Sequence, residues 1–317
     1  MTPLSAHLRV AHTRGEVVES VHAVSVVVLR PDGTVLRTAG DPAAPVYGRS
    51  ALKPAQAVAV LRAGADLTDD EVALAAASHS GEPVHLAAVT ALLGRHGLTP
   101  DDLRCVEDLP LGAAAMRAYL TAGHGPTRLA MNCSGKHAAM LVAAGGDPDY
   151  LEPTHPLQQA CRAAVDELAG PVLGASVDGC GAPAFVTPLE GLARLAHALA
   201  RPADPAVARV AAAMRGRPDL VAGTDRLDTV LMTELPGCVA KSGAEGVLVA
   251  ALPDGTAVAA KVADGAGRAL GPTLLAVLDT VGVAVPAALR AVAAPPVVGK
   301  GRPVGEMQVR WPDDPDG

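Results

Sequence analysis

Strand-like segments at both ends of the chain, with a long helix-rich stretch between them, constrain the fold more than any other feature. Apolar residues alternate over 20–29 and 34–40 around the turn "PDG", and 245–265 alternates around a second "PDG". We expect an α/β fold of the α+β type. It has one mixed, mainly antiparallel sheet from about 7–40 and 240–310, which carries a helical part over about 50–235.

Most of the helix signals lie in the middle of the chain. One helix is expected to open near Ser50, with Pro54 in its first turn, because a helix interior does not tolerate proline. Other helices are expected at 68–78, 82–97, 135–144, 154–170, 187–200, 204–215 and 267–282. The proline-rich end is expected to add one edge strand before an acidic tail. Without repeats or a long linker, the sequence predicts a single domain over 1–317.

Charge and apolar content exclude several classes of protein. The net charge is −7 with scattered acids, so the chain lacks the basic stripe of a nucleic-acid binder. No stretch approaches 18 uninterrupted apolar residues, which argues against a membrane span. The N-terminus lacks the layout of a secretory signal, and five widely spaced cysteines are typical of free thiols in a reducing compartment. We therefore expect a cytoplasmic protein.

Lysine and asparagine are rare in this chain, which makes the remaining ones informative. There is one asparagine, Asn132, and lysine has largely given way to arginine, as in GC-rich genomes. A lysine that arginine cannot replace is one that must lose its proton, as a base or a metal ligand does. The five survivors are Lys53, Lys136, Lys241, Lys261 and Lys300.

Three short motifs suggest nucleophilic chemistry. Ser50 and Lys53 form S-x-x-K, "ASHSGEP" holds Ser78 and Ser80, and "AKSGAEG" holds Lys241. Their order is that of S-x-x-K, S-D-N and K-T-G in penicillin-binding proteins and class A β-lactamases, although the middle motif departs from that pattern. A neutral lysine can activate a serine as a nucleophile. Each motif alone also fits a capping or turn serine beside a solvated lysine.

Two cysteines stand among glycines and small polar residues, in "NCSGKH" and "VDGCGAPAF". Cys133 and Cys180 stand just ahead of turns or helices, where exposed amides favour a thiolate. Two thiolates with Lys136 and a water could hold zinc, although the spacing is no zinc-finger pattern. Asp178 is two residues from Cys180, and His137 adjoins the cluster. A zinc or thiol sensor without catalysis is the competing interpretation.

The segments "YGRSALKPAQA", "ASHSGEP", "NCSGKHAAML", "DGCGAPAF" and "KSGAEGV" together resemble the asparaginase II family of the Rhizobium inducible type, over about 8–285. The resemblance implies a homodimeric amidohydrolase that converts L-asparagine into L-aspartate and ammonia. It also implies a fold similar to serine β-lactamases, penicillin-binding proteins and glutaminases. Two serine–lysine couples are expected beside a zinc ion, which the chemistry does not strictly require, and no organic cofactor is expected. The alternatives are a glutaminase or a β-lactam-type serine hydrolase.

The resemblance carries over to particular positions. It implies Ser50 with Lys53 as the first couple and Ser78 with Lys241 as the second, with Lys261 as the alternative lysine. The implied zinc ligands are Cys133, Lys136 and Cys180, with Asp178 beside them. The residues expected to bind substrate are Arg49, His79, Glu82, Asn132, Lys136, Gly243 and Ala244. One departure is "KSGAEG", which stands where Lys-Gly-Gly or Lys-Thr-Gly is expected.

Overall fold

The computed structural model describes residues 6–314, so the last three residues of the expected acidic tail lie outside it. The strands are β1 Leu8–Arg14, β2 Val17–Leu29, β3 Val35–Ala39, β4 Pro45–Tyr47, β5 Gly174–Val177, β6 Pro183–Pro188, β7 Val239–Gly243, β8 Val247–Ala251, β9 Ala257–Val262, β10 Val297–Gly299, β11 Arg302–Gly305 and β12 Met307–Arg310. The helices are α1 Lys53–Arg62, α2 Asp69–Ala75, α3 Pro83–Arg95, α4 Ala113–Thr121, α5 Ser134–Ala143, α6 Pro156–Ala169, α7 Leu189–Ala200, α8 Pro205–Gly216, α9 Pro218–Val221, α10 Leu227–Glu234, α11 Leu270–Thr280 and α12 Ala287–Ala293. Short 3-10 helices cover Arg49–Leu52, Pro100–Asp102 and Gly267–Ala269.

The main sheet joins the two ends of the chain, as the sequence predicts. Its order is β12-β1-β2-β9-β8-β7, with β3 also paired to β2, and all of these pairings are antiparallel. The long strand β2 is valine-rich, and its buried half pairs with β9, for example Val24 with Val262. The predicted C-terminal edge strand is β12, which pairs with β1. The expected fold class is therefore confirmed.

The helical part packs closely because its helices present small residues to one another. Gly135 of α5 lies against α2, where a Cβ atom would stand 2.8 Å from the carbonyl oxygen of Leu74. Helix α1 is buried over Lys53–Val60 and lies against α5, α6 and α8. Pro54 lies in its first turn as expected, where its missing N–H costs no helical hydrogen bond. This packing leaves Lys53 inside the protein.

The region predicted to be helical also contains a second sheet. Strands β4, β6 and β5 pair antiparallel in that order, and the turn between β5 and β6 carries Cys180. The sequence did not reveal these strands because they are short, and because β4 and β6 have proline at their ends, which weakens a strand signal. The prediction also missed helices α4, α9, α10 and α12 and the β10–β11 hairpin. In the described part of the chain, no helix is long and apolar enough to cross a membrane.

Candidate active site

Ser50 lies in the 3-10 helix that leads from β4 into α1. The preceding residue, Arg49, has a left-handed backbone with φ of 48°, which is uncommon for a residue with a side chain. Two hydrogen bonds hold its guanidinium to the Asp178 carboxylate, at 3.1 and 3.2 Å. Ser50 is half-buried and lines a small cavity. Others lining this cavity include Lys53, Gln56, Cys133, Lys136, Asp178 and Cys180.

Lys53 lies one helical turn beyond Ser50 and connects two of the motifs. Its side chain is 2% exposed. Its Nζ bonds the carbonyl oxygen of Ala77, the Ser78 Oγ at 2.8 Å and the Cys133 Sγ at 3.1 Å. The Ala77 carbonyl oxygen can only accept a hydrogen bond, whereas the Ser78 hydroxyl can either donate or accept one. A neutral Lys53 could therefore still accept a proton from the Ser78 hydroxyl. The sequence paired Ser78 with Lys241, whereas the direct hydrogen bond in the structure joins Ser78 to Lys53.

The segment that carries Ser78 lies outside the helix, because α2 ends at Ala75, three residues before the predicted end at Ser78. The Ser78 N–H donates to Val221 O, and the Ser80 N–H donates to Ala222 O. These main-chain bonds fix the segment against the loop that follows α9. The Ser78 hydroxyl is thereby held within reach of Lys53.

Lys241 lies on β7 and is fully buried, with its Nζ donating to Ser242 O at 2.8 Å. Burial lowers the pKa of Lys241 to about 7. The negative charge of Asp228 opposes this shift, whereas the positive charges of Lys53 and Arg226 add to it. Close to neutral pH, a large fraction of Lys241 is therefore the free amine.

The alternative lysine, Lys261, has different surroundings. It is only half-buried on β9, and its Nζ donates to the carbonyl oxygens of Glu245 and Val262. Burial lowers its pKa, and Glu245 and Asp264 counteract the shift. The charge of Lys53 acts on Lys241, so the geometry favours Lys241 as the second lysine of the site.

Gly243 brings β7 directly against the helix that bears Ser50. A Cβ atom at this position would stand 3.0 Å from Gly48 O and 3.1 Å from Ala51 N. A side chain would push the strand away, which explains a glycine here. Ala244 follows at the exposed start of the next turn. Both residues therefore border the site through their main chain.

Cys133, Lys136 and Cys180 lie together at the cavity that Ser50 also lines. Cys133 is the N-cap residue of α5, and Lys136 on that helix donates to Cys180 Sγ at 3.2 Å. A hydrogen bond from the Cys133 thiol and the charge of Lys136 hold the pKa of Cys180 far below its usual range. The same hydrogen bond and burial raise the pKa of Cys133. Burial disfavours charge on Lys136, but the neighbouring sulfurs outweigh it and raise its pKa.

This donor set fits a zinc ion by its chemistry, since thiolate sulfur and neutral nitrogen are ligands that zinc prefers. The described residues hold no group of three His, Cys, Asp or Glu side chains suited to a metal, so Lys136 would be the third ligand. Next to them is His137, whose Nδ1 bonds Tyr150 OH at 2.8 Å. Within the described residues, its buried Nε2 has no hydrogen bond of ordinary geometry, but His137 acts on the pKa of the nearby Cys180.

Two residues expected to bind substrate also hold the local fold. His79 is fully buried, with its Nδ1 accepting from Gly81 N–H and its Nε2 2.8 Å from Ser134 Oγ. The Glu82 carboxylate accepts the N–H and the hydroxyl of Thr224, at 2.8 and 3.0 Å. Both side chains therefore hold the loop that carries Ser78, and their contact with substrate stays a prediction.

Asn132 stays at the site. It is half-buried, its main-chain oxygen accepts the His79 N–H, and its Oδ1 lies 3.1 Å from Cys133 Sγ. The sequence prediction missed Asp228, which is 1% exposed and bonds the Ser242 N–H. A lone acid at a helix start usually signals no more than favourable helix electrostatics, so the sequence offered no sign of its position.

Comparison with known proteins gives one strong match. The model of the family described as L-asparaginase II matches residues 10–309. No curated protein matches the chain. A solved structure, "EstCE1, a hydrolase with promiscuous acyltransferase activity", is 15% identical with a TM-score of 0.41, over 77% of this chain and 90% of that one. A likeness at this level carries no argument about activity.

Proposed function

Because the chain belongs to the L-asparaginase II family, we propose that it hydrolyses L-asparagine to L-aspartate and ammonia by serine–lysine catalysis. The observation that supports this most is the buried cluster of polar groups beside Ser50. There, Lys53 bonds Ser78, and Lys241 has a pKa of about 7. Buried amines with a lowered pKa are the bases that activate serine nucleophiles.

In the proposed reaction, Ser50 Oγ attacks the side-chain carboxamide carbon, and its proton passes to Lys53. The C–N bond then breaks, and Ser78 relays a proton to the departing nitrogen, which leaves as ammonia. Water hydrolyses the resulting ester of Ser50 and releases aspartate. Lys241 is the second amine of the site, and the charge of Lys53 lowers its pKa, because two positive charges in one buried site repel each other.

The edge of β7 is suited to stabilise the oxygen of the carboxamide during attack. Alternate N–H groups of an edge strand point away from the sheet, and the Ser242 N–H does so, because it bonds Asp228. If this alternation continues past the end of the strand, the next outward N–H belongs to Ala244, which is the proposed donor. Backbone donors placed where negative charge develops contribute some of the largest effects in such reactions.

The polar groups around the cavity suit an amino-acid substrate, which carries one carboxylate and one ammonium group. Arg49 and Asp178 supply charges of both signs at its rim. The side chain of Asn132 adds an uncharged amide at the same site. The carboxylate of the substrate can pair with Arg49, and its ammonium group can pair with Asp178. This pair is therefore the proposed anchor of the substrate backbone.

A zinc ion held by Cys133, Lys136 and Cys180 belongs to the proposal. When bound, it would supply positive charge that shapes the substrate pocket. Lys136 has to release its proton before it binds, because only the neutral amine has a free electron pair. Metal analysis of Cys133→Ser and Cys180→Ser tests the assignment, with Cys161→Ser, a buried cysteine outside the cavity, as the control. Full zinc content in both variants would place the metal elsewhere.

A homodimer in the cytoplasm completes the proposal. The five cysteines are all free and buried, which suits a reducing compartment. The dimer rests on the family resemblance, and the mass of the purified protein in solution tests it.

Ammonia release by the purified protein tests the proposed function. Asparagine should yield ammonia, glutamine should yield much less, and penicillin-type β-lactams should not be cleaved. Glutamine is longer than asparagine by one methylene group, and a pocket distinguishes such a difference by only about 10–200-fold. Cleavage of glutamine or of the β-lactams without cleavage of asparagine would overturn the substrate assignment. Ser50→Ala should remove the ammonia signal without unfolding the protein.

A further inference from the structure

Asp228 is a buried acid whose carboxylate is only partly satisfied. It lies in the first turn of α10 and is 1% exposed. Its Oδ1 accepts the Ser242 N–H at 2.5 Å. Its Oδ2 is enclosed and has no hydrogen-bond partner within residues 6–314. A buried oxygen left in this way destabilises the folded chain, so its presence requires an explanation.

Asp228 is bonded to the edge strand β7. Ser242 lies between Lys241 and Gly243, and its N–H points away from the neighbouring strand β8. Asp228 bonds this N–H and thereby ties the start of α10 to the edge of β7. The same stretch of β7 lies against Gly48 and Ala51, on either side of Ser50. The position of the strand next to the nucleophile therefore depends on this carboxylate.

The amine of Lys241 is also only partly hydrogen-bonded. Among the residues that the structure describes, its Nζ has one hydrogen bond, to Ser242 O, whereas an ammonium group has three protons to donate. No ion pair in the described part of the chain joins Lys241 to Asp228. Even so, Asp228 has the largest effect of the charged groups that act on Lys241. The present arrangement suits a neutral Lys241 amine. It leaves the Asp228 Oδ2 as an acceptor for the same amine when it is charged.

We infer that Asp228 is a positioning residue of the serine–lysine site. It fixes the edge of β7 beside Ser50, and its free Oδ2 is the counter-charge toward which Lys241 turns when that amine takes up a proton. This inference builds on the proposed function, since it concerns the lysine of the same site. The other charged or titratable groups that act on Lys241 are Lys53, Arg226 and Cys133. The two cations oppose its protonation, and a Cys133 thiolate would favour it.

Carbon-13 NMR of the lysine side chains tests this coupling without any turnover. Only five lysines are present, so labelled lysine gives few signals, and Lys241→Met identifies the one of interest. In Asp228→Asn the titration midpoint of Lys241 should fall by about 1 pH unit or more, because a nearby opposite charge shifts a pKa by 1–3 units. Glu234→Gln removes a carboxylate from the far end of the same helix and should leave the midpoint unchanged. An unchanged midpoint in folded Asp228→Asn would overturn the inference.

Kinetics and stability provide the second measurement. Asp228→Asn should lower kcat by about tenfold or more while KM changes little, because the carboxylate acts through Lys241 and β7 and does not touch the substrate. Should Asp228→Asn fail to fold, the double variant with Lys241→Met decides instead. Charge partners are coupled, so removal of the amine as well should let the double variant fold where Asp228→Asn does not. A double variant no more stable than Asp228→Asn would contradict the pairing.

The outcomes separate this inference from the proposed function. A midpoint that shifts in a protein that releases no ammonia from asparagine would keep the pairing and overturn the substrate. An active enzyme whose Lys241 midpoint ignores Asp228→Asn would keep the function and overturn the pairing.

Discussion

At the scale of single residues, the site depends on which serine and which lysine meet. The sequence motifs singled out Ser50, Lys53, Ser78 and Lys241 from the other serines and lysines. In the structure, the segments that carry these four residues meet in one buried region. The partners within that region were beyond prediction, because the Lys53–Ser78 bond spans 25 positions and depends on how α1 packs. Asp228 was missed for the same reason.

The two serines of "ASHSGEP" should differ in their effect on activity. Ser78→Ala removes the hydroxyl that Lys53 contacts and should lower kcat by about 10²–10⁴-fold, the usual effect of losing a proton-transfer partner. Ser80→Ala removes an equally buried hydroxyl two residues away and should have a mild effect. Steady-state kinetics of both variants decides this, and the reverse ranking would show that the relay runs through Ser80.

Lys53→Arg should be nearly as damaging as Lys53→Met. Arginine keeps the positive charge but does not deprotonate, so it cannot accept a proton from a serine. Lys300→Arg, at an exposed position far along the chain, is the matched control and should be silent. An active Lys53→Arg enzyme would mean that the site needs only the charge of this residue.

The pKa of Lys241 predicts how activity varies with pH. This pKa is lowered from 10.5 to about 7, so Lys241 becomes charged at more acidic pH. The value of kcat/KM should therefore fall as the pH drops through about 7 and level off above it. In Lys241→Met, the remaining activity should lose this dependence. A flat profile in the wild-type enzyme would contradict a catalytic role for this titration.

At the scale of elements, the long strands and amphipathic helices were predictable, whereas short elements were not. The β8–β9 hairpin and α1 follow directly from alternation, turn residues and an early proline. The β4–β6–β5 sheet was hidden, although it holds the Cys180 turn, because strands this short are determined by the contacts they make. When part of a site lies on such a sheet, the sequence shows its motifs but not how they are arranged in space.

Gly243→Ala tests the contact between β7 and the helix that bears Ser50. The new Cβ would stand about 3.0 Å from Gly48 O, so the strand has to move by a few tenths of an ångström. Small displacements of catalytic groups are costly, and we expect kcat to fall by about 10²-fold with a modest loss of stability. Gly94→Ala in α3 meets nothing within 4 Å and should leave activity intact and stabilise the helix by about 0.5–1 kcal/mol. Equal activity of the two variants would show that close approach at Gly243 is not needed.

At the scale of the whole molecule, a sheet made from both chain ends carries a helical part, and the candidate site lies where the two meet. Lys241 comes from the sheet, Lys53 and Cys133 come from the helical part, and Cys180 comes from the small sheet. No single segment contains the site, so activity and the folded arrangement of the whole chain should be lost together. The proposed reaction connects these groups through one covalent intermediate.

That intermediate is the most direct test of the central claim. Wild-type protein is mixed with saturating asparagine and quenched in acid during turnover, and its peptides are then mapped by mass spectrometry. An aspartyl ester on Ser50, absent without substrate and absent in Ser50→Ala, is the predicted result. Ammonia release with no ester on Ser50, or an adduct on a cysteine instead, would contradict serine–lysine catalysis at this site.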